Sequence, residues 1–193
     1  MSIRFGALIA VLLLSACGSS YQSAPRNLDN ACSIAAQRPN YVPAMQRSER
    51  KWGVPVAVMM ATIYQESKFI ANAKTPRTRF FGIPTGRVSS AKGYSQALDG
   101  TWDDYRRATG SRLASRTNIN DATDFMGWYM SKSRDILGIP LNDARNQYLA
   151  YHEGRGGYSR GTYRSKAWLL DVSRAVATRA NMYDRQLRSC NLV

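Results

Sequence analysis

Cys32 and Cys190 bracket nearly the whole chain, and no other feature of the sequence constrains its fold so tightly. The third cysteine, Cys17, closes an N-terminal stretch that reads as an export signal: Arg4, then the apolar run Phe5–Leu14, then small residues up to Cys17. Export delivers the chain to an oxidising compartment, where an even pair of cysteines reads as a disulfide. Such a bond would clamp both ends of one domain, and closing so long a loop contributes roughly 5 kcal/mol in the chain-entropy picture. Two buried free thiols are the alternative. A length of 193 residues, 44% of them hydrophobic, fits one ordinary domain and excludes a disordered or collagen-like chain.

Leu14-Ser15-Ala16-Cys17 resembles a bacterial lipobox, the site cut by the lipoprotein signal peptidase. The resemblance implies that residues 1–16 are a removed signal peptide and that Cys17 becomes an acylated first residue. Gly18 follows, where Asp would mark retention in the inner membrane. The expected location is therefore the outer membrane of a Gram-negative bacterium, facing the periplasm. An ordinary signal cut after Ala16, leaving Cys17 free, is the alternative. Residues 17–30, rich in Ser, Asn and small residues, read as a lipid-anchored tether, and 31–193 as the domain. Beyond the N-terminus, the longest apolar run, Val54–Tyr64, is too short to span a bilayer.

The formal net charge of +14 points to an anionic partner without naming it. Nucleic acid fits the charge, but the basic residues are scattered and the export signal removes the chain from cytoplasmic DNA, so none is expected. Three cysteines and a single histidine exclude most zinc schemes; neither a metal nor a cofactor is expected.

Between the cysteines the periodicity is mostly helical, and the fold class reads as α+β, predominantly α-helical. Helices are expected over Pro43–Trp52, Val56–Lys68, Ala97–Ala108, Asp121–Leu137, from Asn142 to about Glu153-Gly154, and over Ser165–Leu187. Asn120 or Asp121 would cap the fourth and Asn142 the fifth. The loop-rich stretch Asn72–Gly93 leaves room for a short hairpin around Phe80–Val88.

Helix Val56–Lys68 is apolar nearly all round, hence buried, yet Glu66 stands near its end. Winding at 100° per residue puts Glu66 beside Met59, Thr62 and Ile63. Burial raises a carboxyl pKa, as a general acid at neutral pH requires. A helix-end Glu paired with one of the many arginines is the bland alternative.

Three segments follow one another in order. Glu66-Ser67 closes the buried helix, Gly93-Tyr94-Ser95-Gln96 comes about 27 residues later, and Ala150-Tyr151-His152 about 55 residues after that. This order resembles the soluble-type lytic transglycosylases, a goose-type-lysozyme-like family with Glu-Ser, Gly-Leu-Met-Gln and Ala-Tyr-Asn motifs. The resemblance covers roughly residues 40–165. It implies a lysozyme-like fold with the catalytic Glu at the end of a buried helix. It also implies cleavage of the β-1,4 bond between N-acetylmuramic acid and N-acetylglucosamine in peptidoglycan, leaving a 1,6-anhydro end.

By the same resemblance Glu66 is the catalytic acid and base, and Ser67, Gly93, Tyr94, Ser95, Gln96, Tyr151, His152 and Tyr158 are the candidate substrate-binding residues. Tyr151 matches the tyrosine that the family places against the catalytic Glu. His152 stands where the family often has Asn, and Glu153 where it often has Ala. Each has a plainer reading: a turn before a helix for Ser95 and Gln96, a cleft-edge or core side chain for His152, wall packing for Tyr158 and its neighbours Gly161 and Tyr163. A hydrolytic muramidase would need a second carboxylate roughly 5–9.5 Å from the first, for which Asp99 and Glu153 are the candidates. A peptidoglycan-binding lipoprotein without catalysis would need no buried Glu.

Overall fold

Gly53 takes a left-handed conformation (φ 80°), its N–H closes on the Glu49 carbonyl at 2.7 Å, and Pro55 opens the next helix two residues on. This break separates an amphipathic helix from the apolar one that follows. The computed structural model describes residues 23–81 and 83–193; the expected signal peptide, Cys17 and the first part of the tether lie outside the described residues. The elements run α1 (Ala31–Gln37), α2 (Tyr41–Trp52), α3 (Val56–Ser67), β1 (Arg77–Phe80), β2 (Ile83–Arg87), α4 (Asp99–Thr109), α5 (Ile119–Leu137), α6 (Ala144–Arg160), a 3-10 turn at Thr162–Ser165, and α7 (Ala167–Ser189). The α-rich α+β architecture expected from the sequence is the one the chain adopts.

Every residue of α3 from Val56 to Ile63 is buried. A helix apolar on all sides needs neighbours on all sides. α7 packs along one flank, α2 and α5 cover others, and α6 bridges α5 and α7. The β1–β2 pair is antiparallel, with Arg77 opposite Arg87 and Phe80 opposite Ile83.

Several expected boundaries shift. α1, only seven residues long, is too short to show a helical period in the sequence, and the first expected helix begins at Tyr41 rather than Pro43. Asn118, not Asn120 or Asp121, caps α5, its Oδ1 accepting from the Asn120 N–H at 2.8 Å. Asp143, not Asn142, caps α6. The helix expected to stop near Glu153-Gly154 bends there instead. Gly154 has φ 72° and ψ 155°, a conformation open to glycine almost alone, and helical turns resume to Arg160.

Cys32 and Cys190 are joined, their Cα atoms 6.3 Å apart, so α1 is tied to the end of α7. Residues 25–30, read from the sequence as tether, pack on the domain. Pro25 is buried, Asp29 pairs with Arg179 at 2.8 Å, and Gln186 bonds the Ala31 N–H and the Asp29 carbonyl.

Candidate functional site

α3 ends in an abrupt turn. Lys68 (φ 50°) and Phe69 (φ 62°) are both left-handed, each at a cost of about 1 kcal/mol or more for a residue with a Cβ. Phe69 is fully buried and stacks on Tyr41 with ring centroids 5.8 Å apart, which holds the turn in place. The turn leaves Glu66 in the last helical turn, part-exposed on the wall of a cleft of about 400 Å³. The other walls come from α5 (Phe125, Tyr129), α6 (Tyr151, His152, Glu153, Gly154) and the segment Gln96–Leu98.

Burial pushes the Glu66 carboxyl up to about 7, against the opposing pull of a hydrogen bond from Tyr148 and the positive charge of Lys68. The group therefore keeps its proton much closer to neutrality than an ordinary glutamate does. The Tyr148 and Tyr151 hydroxyls are pushed up by burial and by the Glu66 charge, so both stay protonated donors.

Two tyrosines of α6 feel the Glu66 charge, Tyr148 and the expected Tyr151. The Tyr151 hydroxyl donates to the Ser95 carbonyl at 2.6 Å, whereas the hydroxyl bonded to Glu66 belongs to Tyr148, three residues earlier on the same face of α6. Tyr148 is not among the residues expected from the sequence; its i, i+3 spacing from Tyr151 is the one signal that could have found it. The ring of Tyr151 meets Tyr129 edge-on at 5.2 Å.

Of the expected substrate-binding residues, the cleft brings together Gln96, Tyr151 and His152 with Glu66. Ser67 is buried and donates to the Ile63 carbonyl at 3.2 Å. Gly93 (φ 78°) passes so close to Arg116 that a Cβ would sit 2.0 Å from its carbonyl oxygen. Tyr94 is buried, its hydroxyl 2.9 Å from that of Tyr41, and Ser95 is fully buried, its Oγ without a partner among the described residues. Gly93, Tyr94 and Ser95 thus form the bracket behind the wall. Gln96, itself left-handed (φ 48°), donates through Nε2 to the Ala73 and Gly93 carbonyls, which leaves its amide oxygen for other partners. Tyr158 lies outside the cleft lining and stacks on Tyr163 at 5.1 Å.

Neither expected second carboxylate is free. Asp99 is exposed, paired with Arg116 at 2.6 Å, and not part of the cleft lining. Glu153 lines the cleft, but its oxygens accept from Lys166 at 2.7 and 2.9 Å, from Thr162, and from His152 Nδ1 at 3.2 Å. Burial works to raise its pKa, and the bonds from Lys166, Thr162 and His152 outweigh that and bring it down to about 2. His152 also sets its ring edge-on to Trp168 at 5.2 Å. Among the described residues no group of three or more His, Cys, Asp or Glu could hold a metal ion.

The cleft therefore offers one carboxyl able to exchange a proton near neutrality, tyrosine donors around it and an aromatic floor. A family model described as Transglycosylase SLT domain matches residues 5–190, nearly the whole chain. A search of curated proteins gives no match.

Proposed function

Because the chain belongs to the transglycosylase SLT domain family, an enzyme class that degrades peptidoglycan, we propose that it cleaves the β-1,4 bond between N-acetylmuramic acid and N-acetylglucosamine without water, with Glu66 moving the proton in both steps. Protonated Glu66 gives its proton to the leaving glycosidic oxygen as the bond to the muramyl anomeric carbon breaks. The substrate's own acetamido oxygen stabilises the developing positive charge, so no protein nucleophile is required. The muramyl 6-hydroxyl then attacks the anomeric carbon, and the Glu66 carboxylate takes its proton. The product is a 1,6-anhydro end, and Glu66 is protonated again.

One observation carries this reading: burial raises the Glu66 carboxyl to about 7, while the only other carboxylate lining the cleft among the described residues is saturated by Lys166, Thr162 and His152. A group poised near the working pH can serve as acid and then as base. A carboxylate held at about 2 by donors on both oxygens is a poor base and a poor nucleophile, which weighs against a hydrolytic pair. Tyr148 favours the charged form of Glu66 after the first step. The Gln96 amide oxygen suits a sugar acetamide N–H.

Mass spectrometry of products released from purified sacculi tests the proposal. Muropeptides ending in 1,6-anhydro-muramic acid, one water lighter than hydrolysis products, are expected from wild type and none from Glu66→Gln. Reducing ends would make the protein a muramidase, and binding without release from any sacculus would make it a peptidoglycan-binding protein.

A further inference from the structure

From Ser67 to Leu98 the chain carries Lys68, Lys74, Arg77, Arg79, Arg87 and Lys92 and not one aspartate or glutamate. The hairpin built inside this segment sets like charges against each other: Lys74 pairs with Lys92 at its foot, and Arg77 with Arg87 in the ladder. Like charges directly opposite weaken a strand pair. Among the described residues none of Lys74, Arg77, Arg79, Arg87 and Lys92 forms an ion pair. The fold thus concentrates positive charge here and supplies no internal counterion.

The far end of the same hairpin is apolar. Phe80 is 67% exposed, Phe81 91% and Ile83 67%. Phe80 stands opposite Ile83, and the two phenylalanine rings meet at 4.6 Å. Both strands are exposed at every position, so no part of the domain covers either face. An apolar tip on a cationic stem matches the chemistry of a membrane interface, where apolar groups enter the acyl boundary and long basic side chains reach the headgroups.

We infer that the β1–β2 hairpin docks on an anionic lipid surface, with Phe80, Phe81 and Ile83 entering the boundary between headgroups and acyl chains and Arg77, Arg79 and Arg87 meeting lipid phosphates. Charge complementarity selects anionic over neutral lipid. A glycan strand could stack on the two rings, but it gives an aliphatic Ile83 nothing to enter. Thr75 and Ala91, at the foot of the hairpin, line the cleft, so docking would fix the height of the cleft above the lipid.

The test uses the full chain carrying Cys17→Ser, which removes the expected acylation site, mixed with phosphatidylcholine vesicles with and without phosphatidylglycerol. Amide hydrogen exchange followed by mass spectrometry reads the hairpin itself, whatever the N-terminal stretch does. Residues 77–88 are expected to exchange more slowly with phosphatidylglycerol present, and the protection should fade as salt is raised. Replacing Arg77, Arg79 and Arg87 by Gln should weaken the lipid-dependent protection about fivefold per arginine. Phe80→Ser with Phe81→Ser should weaken it about tenfold or more. These side chains are exposed, so the domain should stay folded. Because Arg77 faces Arg87 and Arg87 donates to the Thr75 carbonyl, the protection is read for each variant against its own exchange without lipid. Unchanged exchange in the hairpin on phosphatidylglycerol overturns the inference, as does equal protection on phosphatidylcholine alone. Variants that lose binding to sacculi while keeping lipid protection would assign the surface to glycan and overturn it too.

Discussion

Tyr151 donates its hydroxyl to the Ser95 carbonyl at 2.6 Å, and by that bond α6 holds the bracket Gly93–Gln96 against the cleft. Tyr148, one turn earlier, spends its hydroxyl on Glu66. Two tyrosines on one helix face thus hold two different walls, and their removal should have separable effects. Tyr148→Phe takes away a bond that favours ionised Glu66, so the Glu66 pKa should rise further and the alkaline limb of the kcat profile should move to higher pH. Turnover should fall about tenfold, the loss of one hydrogen bond to a charged group. Tyr151→Phe should leave that limb in place and lower stability by about 1–3 kcal/mol, since a carbonyl loses its donor. Paired pH–rate profiles and thermal melts check both.

Glu66→Gln should cost at least about 10²-fold in turnover and yet stabilise the fold at alkaline pH. The folded pKa of Glu66, about 7, lies above its unfolded value of 4.5. Below the unfolded value both states hold the proton and burial is unopposed. As pH rises from there through 7, the unfolded state releases the proton first and stability is lost. The variant should therefore melt higher than wild type at pH 8, by an amount equivalent to about 1–3 kcal/mol, and at the same temperature at pH 4. Calorimetry at the two pH values decides it.

Glu153 should behave oppositely. Its folded pKa is brought down to about 2, so it stabilises the fold above the unfolded value of 4.5 and stops doing so as pH falls through 2. Glu153→Gln should cost about 1–2 kcal/mol at pH 7, discounted because Lys166 is 39% exposed, and should flatten the acid side of the melting curve. It should still release 1,6-anhydro products. Loss of all release with an unchanged fold would return Glu153 to the chemistry.

Reduction of the Cys32–Cys190 bond should lower stability by up to roughly 5 kcal/mol, the loop-closure figure for so wide a span. For a domain of this size each kcal/mol moves the midpoint about 2–4 °C, so a shift on the order of 10 °C is expected. Melting with and without reductant, beside non-reducing peptide maps, measures it.

Cys17→Ser should abolish incorporation of labelled palmitate and release the protein from the outer-membrane fraction. A wild-type protein that never takes up label would refute the anchor.

The sequence displays some of this site and hides the rest for identifiable reasons. Glu66 was legible because a carboxyl on a helix as apolar as Val56–Ile63 is an anomaly in one dimension. The Cys32–Cys190 bond was legible because the expected export and the expected acylation of Cys17 leave those two cysteines only each other. The caps were misplaced because Asn118, Asn120 and Asp121 lie within four positions, and only backbone angles say which one stands outside the helix. The resemblance names Tyr151 and not Tyr148, because the partners of the two hydroxyls, Ser95 and Glu66, lie far from them along the chain. Local spacing put both tyrosines on one face without saying what that face meets. Glu153 was weighed as a free carboxylate because Thr162 and Lys166 reach it only after the bend at Gly154.

The bond between α1 and the end of α7 also sets how the domain bears force. Tension applied between a residue before Ala31 and one after Asn191 runs through a single covalent bridge, and the helices between the two cysteines lie off the line of pull. Stretching the oxidised chain by its ends should therefore yield almost no extension from residues 33–189, however hard the bridge is loaded. Reduction would put those same residues, Glu66 and its cleft included, directly in the path of the load.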